Sequence, residues 1–390
     1  MAESSTAVPD APAGTAAPDA LVIGAGPGGL AAAAALRARG LRPLVVERAE
    51  NLGASWRSHY DRLHLHTTRR LSALPGLPIP RAYGRWVGRD DVVRYLEQYA
   101  DHHDLDIATG IEVQRVEKAA GGGWELPATG GRMLTSAVVV VATGHNHTPY
   151  VPDWPGRDTF TGDLLHASDY RNATPYAGRD VLVVGIGNTG AEIAVDLVEG
   201  GAGRVRLAVR TAPHILRRST AGWPAQASGI LCRRLPTGVV DRIAPYIERA
   251  GVPDLTPYGL PRPDSGLYSR VREGAIPVQD VGLIKAVRSR RVEPVAAVER
   301  FDGAKVHLAD GTEVGAEVVI AATGYRRGLE PLVGHLGVLD ERGRPAVHGA
   351  RTPPGAPGLY FTGFTNPISG MFREMAIDAR KIARAVSRAR

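Results

Sequence analysis

The chain has 390 residues, 44% hydrophobic and 22% charged, too long and too apolar for a disordered tail or a disulfide-stapled mini-domain and long enough for two or three domains. Its one cysteine, Cys232, excludes an internal disulfide and a cysteine-rich zinc cluster and suits a reducing, cytoplasmic setting. The net charge is +7, but of 47 basic residues only Lys118, Lys285, Lys305 and Lys381 are lysines and the arginines are spread along the whole chain, so nucleic acid is not an expected partner.

Residues 1–18 are rich in Ala, Pro, Ser and Thr and lack the cationic start and apolar centre of a secretory signal, so they read as a disordered leader. The longest uncharged run, 20–36, is interrupted by Gly24, Gly26, Pro27, Gly28 and Gly29. A membrane span needs about 20 continuous apolar residues, so no membrane is expected and the run reads as strand, tight turn and helix. Leu21-Val22-Ile23 is the strand, and the alanine-rich helix after the turn stops at Gly40. A second strand, Leu44-Val45-Val46, then delivers Glu47 and Arg48, completing a βαβ unit.

The grammar repeats about 160 residues on. Val181 to Val184 leads into Gly185-Ile186-Gly187-Asn188-Thr189-Gly190, a helix, a Gly200-Gly201 stop, and a strand ending at Arg210 and Thr211. Each turn asks for glycine where the chain bends too tightly for a Cβ, where backbone amides approach a pyrophosphate, and where helix meets strand. Glu47 can accept from ribose hydroxyls, whereas Arg210 suits a 2′-phosphate. One FAD site and one NADPH site are therefore predicted. Arg217 and Arg218 are either helpers on that phosphate or exposed, solvated residues.

Two further segments resemble one another, Val138 to Val141 with Ala142-Thr143-Gly144, and Val318 to Ala322 with Thr323-Gly324. They are expected to be the crossing strands that join an inserted domain to its host. The fold class predicted is α/β, with two Rossmann-like dinucleotide-binding domains and the NADPH domain, 153–312, inserted into a discontinuous FAD domain, 19–152 and 313–390. Members of this architecture that reduce disulfides need a cysteine pair, which a chain with Cys232 alone cannot form.

Phe160-Thr161-Gly162-Asp163-Leu164-Leu165-His166-Ala167-Ser168-Asp169-Tyr170 matches the F-x-G-x-x-x-H-x-x-x-(Y/F) signature of flavin-containing monooxygenases. Gly53-Ala54-Ser55-Trp56-Arg57 is similar to that family's G-x-x-W-R element, and Tyr60 to His66 resembles the corresponding stretch of the YUCCA-type branch. Tyr258 to Leu260, Pro277 to Gly282, Gly358 to Tyr360 and Gly363-Phe364 match in order as well. The Baeyer–Villiger relatives usually end the signature in Trp where this chain has Tyr170. In this chain His66 also stands where many members have Asn, and residues 366–371 depart from the plant pattern.

The resemblance implies that NADPH reduces the flavin, oxygen adds at its C4a position to give a (hydro)peroxyflavin, and one oxygen atom passes to a small organic substrate inside a dry pocket. That substrate is either a 2-oxo acid of indole-pyruvate type or a soft nitrogen or sulfur nucleophile. Baeyer–Villiger oxygenation of a ketone, an NADPH reductase serving a carrier, and a flavin-binding sensor stay open. Gly24, Gly26, Gly28, Gly29, Glu47 and Arg48 are assigned to FAD, with Trp56 and Arg57 near its pyrophosphate or ring, and Ala142, Thr143, Gly144, Thr323, Gly324, Gly363 and Phe364 are also expected to bind a cofactor. Leu65, His66 and Thr67 are placed at its reactive edge, His66 and Thr67 being the catalytic candidates. Trp56 can equally be a core aromatic, and His66, like its sibling His64, a core or surface histidine. Gly185, Gly187, Asn188, Thr189 and Gly190 are assigned to the NADPH pyrophosphate. His166 is read as a linker residue, no metal site is expected, and the chain should be a monomer or homodimer.

Overall fold

The structure is a computed structural model. It describes residues 17–232 and 235–389, without the side chains of Ile247, Glu248 and Ala250. Apart from Ala17 and Pro18, the expected leader lies outside the described residues.

β1 (Ala20–Ile23) enters a glycine turn, α1 (Pro27–Arg37) follows, and β2 (Pro43–Val46) returns beside β1. α2 (Arg89–His102), β3 (Asp106–Ala108) and β4 (Val139–Val141) continue the unit. The chain then builds a second sheet from β5 (Asp163–His166), β6 (Asp180–Val184), β7 (Arg204–Val209), β8 (Val292–Ala296) and β9 (Val318–Ala321), with α3 (Asn188–Glu199) between β6 and β7. It comes back to the first sheet with β10 (Leu359–Phe361) and ends in α4 (Met371–Ala389). The first sheet has the order β10-β4-β1-β2-β3 and the second β8-β7-β6-β9-β5, and every pairing in both is parallel.

The central strands read as unbroken apolar runs because both faces of a parallel sheet are covered: every residue of β1, β4 and β9 is buried. The middle of α1 is a run of alanines, Ala31 to Ala35, all buried, because the helix lies between its sheet and α4. α4 presents Phe372, Met375, Ala379, Ile382, Ala383 and Val386 to that interface at the three-and-four spacing of an amphipathic helix.

One boundary differs from the sequence reading. The returning part of the first domain was expected from residue 313, with Val318 to Gly324 as a crossing strand of the host. β9 instead hydrogen-bonds between β6 and β5, Val183 opposite Ile320 and Leu165 opposite Ile320, so it belongs to the second sheet. Of the two similar segments only β4 lies in the first sheet, and the return begins after β9. The two cores also share residues: Tyr60 and Leu63, which precede the second sheet by 100 residues of chain, are buried in the core of the second domain.

The glycine turns explain the two helices' placement. Gly24 and Gly185 sit at φ +106° and +108°, and a Cβ there would stand 2.7 Å from the Ala142 carbonyl oxygen and 2.6 Å from that of Ala322. A Cβ on Gly29 would overlap the Gly24 carbonyl oxygen, and one on Gly190 that of Gly185, whereas Gly26 and Gly187 face open space. Gly29→Ala should therefore lower stability by about 3 kcal/mol or prevent folding. Gly26→Ala should leave the cofactor-free protein within about 0.5 kcal/mol of the parent, as urea unfolding of both variants would show.

Candidate cofactor and active site

The two glycine turns open on one cavity of about 1010 Å³. Gly24, Gly26, Pro27 and Gly28 reach it from the first turn and Asn188 and Thr189 from the second. Neither α1 nor α3 has a side-chain N-cap or an acidic residue in its first turn. Their first backbone N–H groups are thus left for a ligand, and the helix dipole favours an anion there. The fit to two dinucleotides rests on these features: uncapped helix ends, and room at Gly26 and Gly187 that a Cβ would take up.

Glu47 is buried on the wall, its Oε2 accepting from Ala25 N at 2.7 Å and its Oε1 from Ala49 N at 3.0 Å. The carboxylate braces the first turn while lining the space where a ribose would lie. Pairing refines the comparison of the two strand ends. Gly24 N donates to the Val46 carbonyl and Gly185 N to that of Ala208, so Val209 is the counterpart of Glu47, and Arg210 that of Arg48. The second site therefore lacks the carboxylate altogether and carries its cation one residue later. Arg210 and Thr211 are exposed and are not part of the cavity lining, and Arg210 has no hydrogen-bond or ion-pair partner among the described residues.

Arg48, Trp56, Leu65, His66, Thr67, Ala142, Thr143, Gly144 and Gly363 all line the cavity. Trp56 does so while packing edge-on against Phe372, at 5.8 Å between ring centroids, so it is at once a core aromatic and a wall residue. Other assigned residues lie elsewhere. Arg57 points away from the wall, paired with Glu97 and donating to the Leu52 carbonyl at 2.9 Å. Phe364 is buried in the first core. Thr323 donates to the Tyr150 carbonyl, and Gly324 receives His166 Nε2–H at 3.0 Å. Gly29, Gly185, Gly187 and Gly190 shape the turns without lining the cavity. Arg218 lies over the Trp86 ring, 4.4 Å from its centroid, and Arg217 donates to the Gly251 carbonyl at 2.5 Å.

His166 accepts from Ser168 N at Nδ1, 3.0 Å, while its Nε2 meets Gly324, tying β5 to the loop after β9. Tyr170 at the end of the signature donates to Asp196 Oδ2 at 2.6 Å, and the same carboxylate's Oδ1 receives Arg62 at 3.2 Å. The signature thus holds the 60–66 segment against α3 and forms no part of the cavity wall beyond Ser168.

Several wall residues were not assigned from sequence. Gln226 accepts from Thr68 N at 2.9 Å and donates to the Ser369 carbonyl at 2.8 Å, stapling the helix Ala225–Cys232 over two other segments. Gln279 N donates to Asn188 Oδ1 at 2.7 Å. Gln226 lies in none of the matching motifs and Gln279 is not one of the residues that carry the Pro277 to Gly282 match, and the partners that place both are remote in sequence. Among the described residues there is no group of three or more His, Cys, Asp or Glu able to hold a metal, and no helix long and apolar enough to cross a membrane.

Burial, reinforced by Arg171 and Arg89, lowers the His59 imidazole on the cavity wall to about 4, so it is neutral at pH 7. The unfolded chain takes up that proton near pH ~6.5 and the folded one does not, so stability is lost as pH falls from there towards 4. Burial also lowers His145, His147 and His166, with the same sign. His59→Asn should flatten the unfolding free energy between pH 6.5 and 4 by on the order of 2 kcal/mol. An unchanged slope in urea titrations would contradict the assignment.

The matching family is described as pyridine nucleotide-disulphide oxidoreductase, over residues 21–221. The indole-3-pyruvate monooxygenase YUCCA1 of Oryza sativa subsp. japonica is 37% identical over 353 residues, 89% of this chain and 87% of the relative. The probable indole-3-pyruvate monooxygenase YUCCA3 of Arabidopsis thaliana is 32% identical, covering 94% and 86%. Among solved structures, the flavin-containing monooxygenase of Stenotrophomonas maltophilia is 26% identical with a TM-score of 0.73, covering 96% of this chain and 99% of that one. Cyclohexanone monooxygenase, 20% identical at a TM-score of 0.72 over 96% and 88%, shares the fold. The disulfide chemistry in the family's description needs a dithiol that Cys232 alone cannot supply. Two glycine turns facing one cavity, and relatives at this identity over most of their length, place the chain in the flavin monooxygenase family.

Proposed function

We propose that the first glycine turn, with Glu47 and Arg48, holds FAD, and that the second, with Arg210 and Thr211, holds NADPH. The enzyme is an FAD- and NADPH-dependent monooxygenase that acts on a small organic substrate with O2. The observation that carries the assignment of residues is the convergence of both uncapped helix ends on a single cavity, which brings a hydride donor and a flavin together. FAD would supply the redox and oxygen chemistry. The chain's residues bind, orient and keep water out: Trp56, Leu65, Met371, Phe372 and Met375 form the apolar walls, and His66 and Thr67 offer polar atoms. His66 and Thr67 are the residues we assign to the reacting centre. A reducing, cytoplasmic setting and a monomer or homodimer remain our reading of the lone cysteine and the nucleotide chemistry.

The substrate class we assign is a 2-oxo acid bearing a flat apolar group, on the strength of relatives described as acting on indole-3-pyruvate. Arg48 is the only arginine or lysine on the cavity wall among the described residues, so the substrate carboxylate would rest on neutral donors such as Asn366. With indole-3-pyruvate and 18O2, the enzyme should consume one NADPH per turnover, release CO2 and place one labelled oxygen in the carboxylate of the shortened acid. NADPH oxidation that yields only peroxide with 2-oxo acids, but one labelled oxygen with thioethers or amines, would reassign the substrate. Arg210→Ala should raise the KM for NADPH about tenfold or more and leave that for NADH within about threefold. Equal effects on both would show that the 2′-phosphate lies elsewhere.

A further inference from the structure

The helix Ala225–Cys232 belongs to the chain between β7 and β8 of the second sheet, yet the groups that hold its inner face come from the stretches before and after that sheet. The holding residue is Gln226, 4% exposed. Its Oε1 accepts from Thr68 N at 2.9 Å and its Nε2 donates to the Ser369 carbonyl at 2.8 Å, partners 158 and 143 residues away. An amide side chain has one acceptor end and one donor end, so this orientation alone satisfies both partners. Further along the helix, Gly229 lies on the same wall: a Cβ there would stand 3.0 Å from the Ile368 carbonyl oxygen and 3.1 Å from its Cγ1 and Cγ2. Gly370, at φ +98°, completes the fit, since a Cβ on it would come within 2.7 Å of both Gln226 Nε2 and Thr67 Cγ2. Thr67, Gln226, Ile368 and Gly370 all line the cavity. Leu231, on the same helix, is instead exposed to solvent.

We infer that Gln226 is a positioning residue: it latches the helix 225–232 over the substrate side of the cavity, fixing the width left for the substrate and keeping water from the oxygen transfer. The inference rests on the reading of His66 and Thr67 as residues of the reacting centre. Thr68 follows them directly, so the bond to its N–H sets where Thr67 stands. The bond to Ser369 sets the 366–370 turn, from which Asn366 and Ile368 face the cavity. Without the amide, a buried N–H and a buried carbonyl would lose their partner, and both segments would have to shift to find another. Farther out the fastenings are exposed: Arg85 donates to the Gly222 carbonyl at 2.6 Å, and Trp223 Nε1 to Ser228 Oγ at 3.1 Å. Water admitted under the helix changes the products. NADPH, O2 and a proton then give NADP+ and hydrogen peroxide, instead of NADP+, water and an oxygenated substrate. The share of NADPH that ends in product is therefore the property that the latch controls.

The test compares FAD-loaded wild type with Gln226→Met, which keeps the length but removes both bonds, with Gln226→Glu, which keeps an acceptor for Thr68 N, and with Leu231→Ala. Amide hydrogen exchange read by mass spectrometry should be slow at Thr68 in the wild type and about tenfold or more faster in Gln226→Met, with Gln226→Glu between them. Gly370 N–H, which donates to the Pro367 carbonyl at 3.0 Å, should be exposed to exchange in the same variant. With indole-3-pyruvate, NADPH and O2, Gln226→Met should release about threefold more peroxide per NADPH. Its KM for the 2-oxo acid should rise about fivefold or more while that for NADPH stays within about threefold. Leu231→Ala should match the wild type throughout. Fast exchange at Thr68 in the wild type, unchanged peroxide release in Gln226→Met, or the same loss of coupling in Leu231→Ala would overturn the inference. The wild-type exchange decides the latch even where Gln226→Met does not fold. Oxygenation that survives both His66→Ala and Thr67→Ala would instead overturn the reading of the reacting centre and leave the exchange result standing.

Discussion

The close approach of backbone to backbone at Gly24/Gly29 and at Gly185/Gly190 is the constraint from which the rest follows. In each unit the carbonyl at the strand's end lies where a Cβ of the helix would be, so helix and strand are joined without an intervening cap. The first-turn N–H groups of both helices are consequently unsatisfied by protein and face space that only a ligand fills. Phosphate is the ligand that such an end suits, and two such ends on one cavity are the ground for proposing that it holds two dinucleotides.

Bringing the two ends together requires the domains to be locked at a fixed angle, and the chain does this with buried residues. Tyr60 and Leu63 are part of the second core although their segment belongs to the first half. Tyr170, the last residue of the signature, takes one oxygen of Asp196, and Arg62 takes the other. His166 fastens the loop after β9 to β5. The signature therefore works through position: it sets how the second sheet meets the 60–66 segment, and that segment carries Leu65, His66 and Thr67 to the cavity.

Much of this was legible in the sequence because it is local. A βαβ unit with glycines at fixed spacing is contiguous, and the physical reasons for each glycine act within a few residues, as Gly24 and Gly29 show. The charge at the end of the second strand was legible too, though the pairing of Gly185 with Ala208 shifts Arg210 into line with Arg48 and makes Val209 the counterpart of Glu47. What was not legible depends on distant pairing. β9 looks like a twin of β4, and only its register against β5 and β6 shows that it belongs to the other sheet. Arg57, Thr323, Gly324 and Phe364 lie in matching motifs, yet their side chains or backbone turn to structural partners instead of the cavity. Gln226 went unassigned because its meaning comes from partners more than 100 residues away.

The central claim is that the two turns serve one reaction space, so that a nicotinamide bound at the second can reach a flavin bound at the first. It is tested most directly by mixing FAD-loaded enzyme with NADPH deuterated at each C4 position in turn, without oxygen, in a stopped-flow instrument. Bleaching of the bound flavin with a primary isotope effect from one of the two positions only is the result predicted. Bleaching that depends on added free flavin, or that shows no isotope effect from either position, would contradict it.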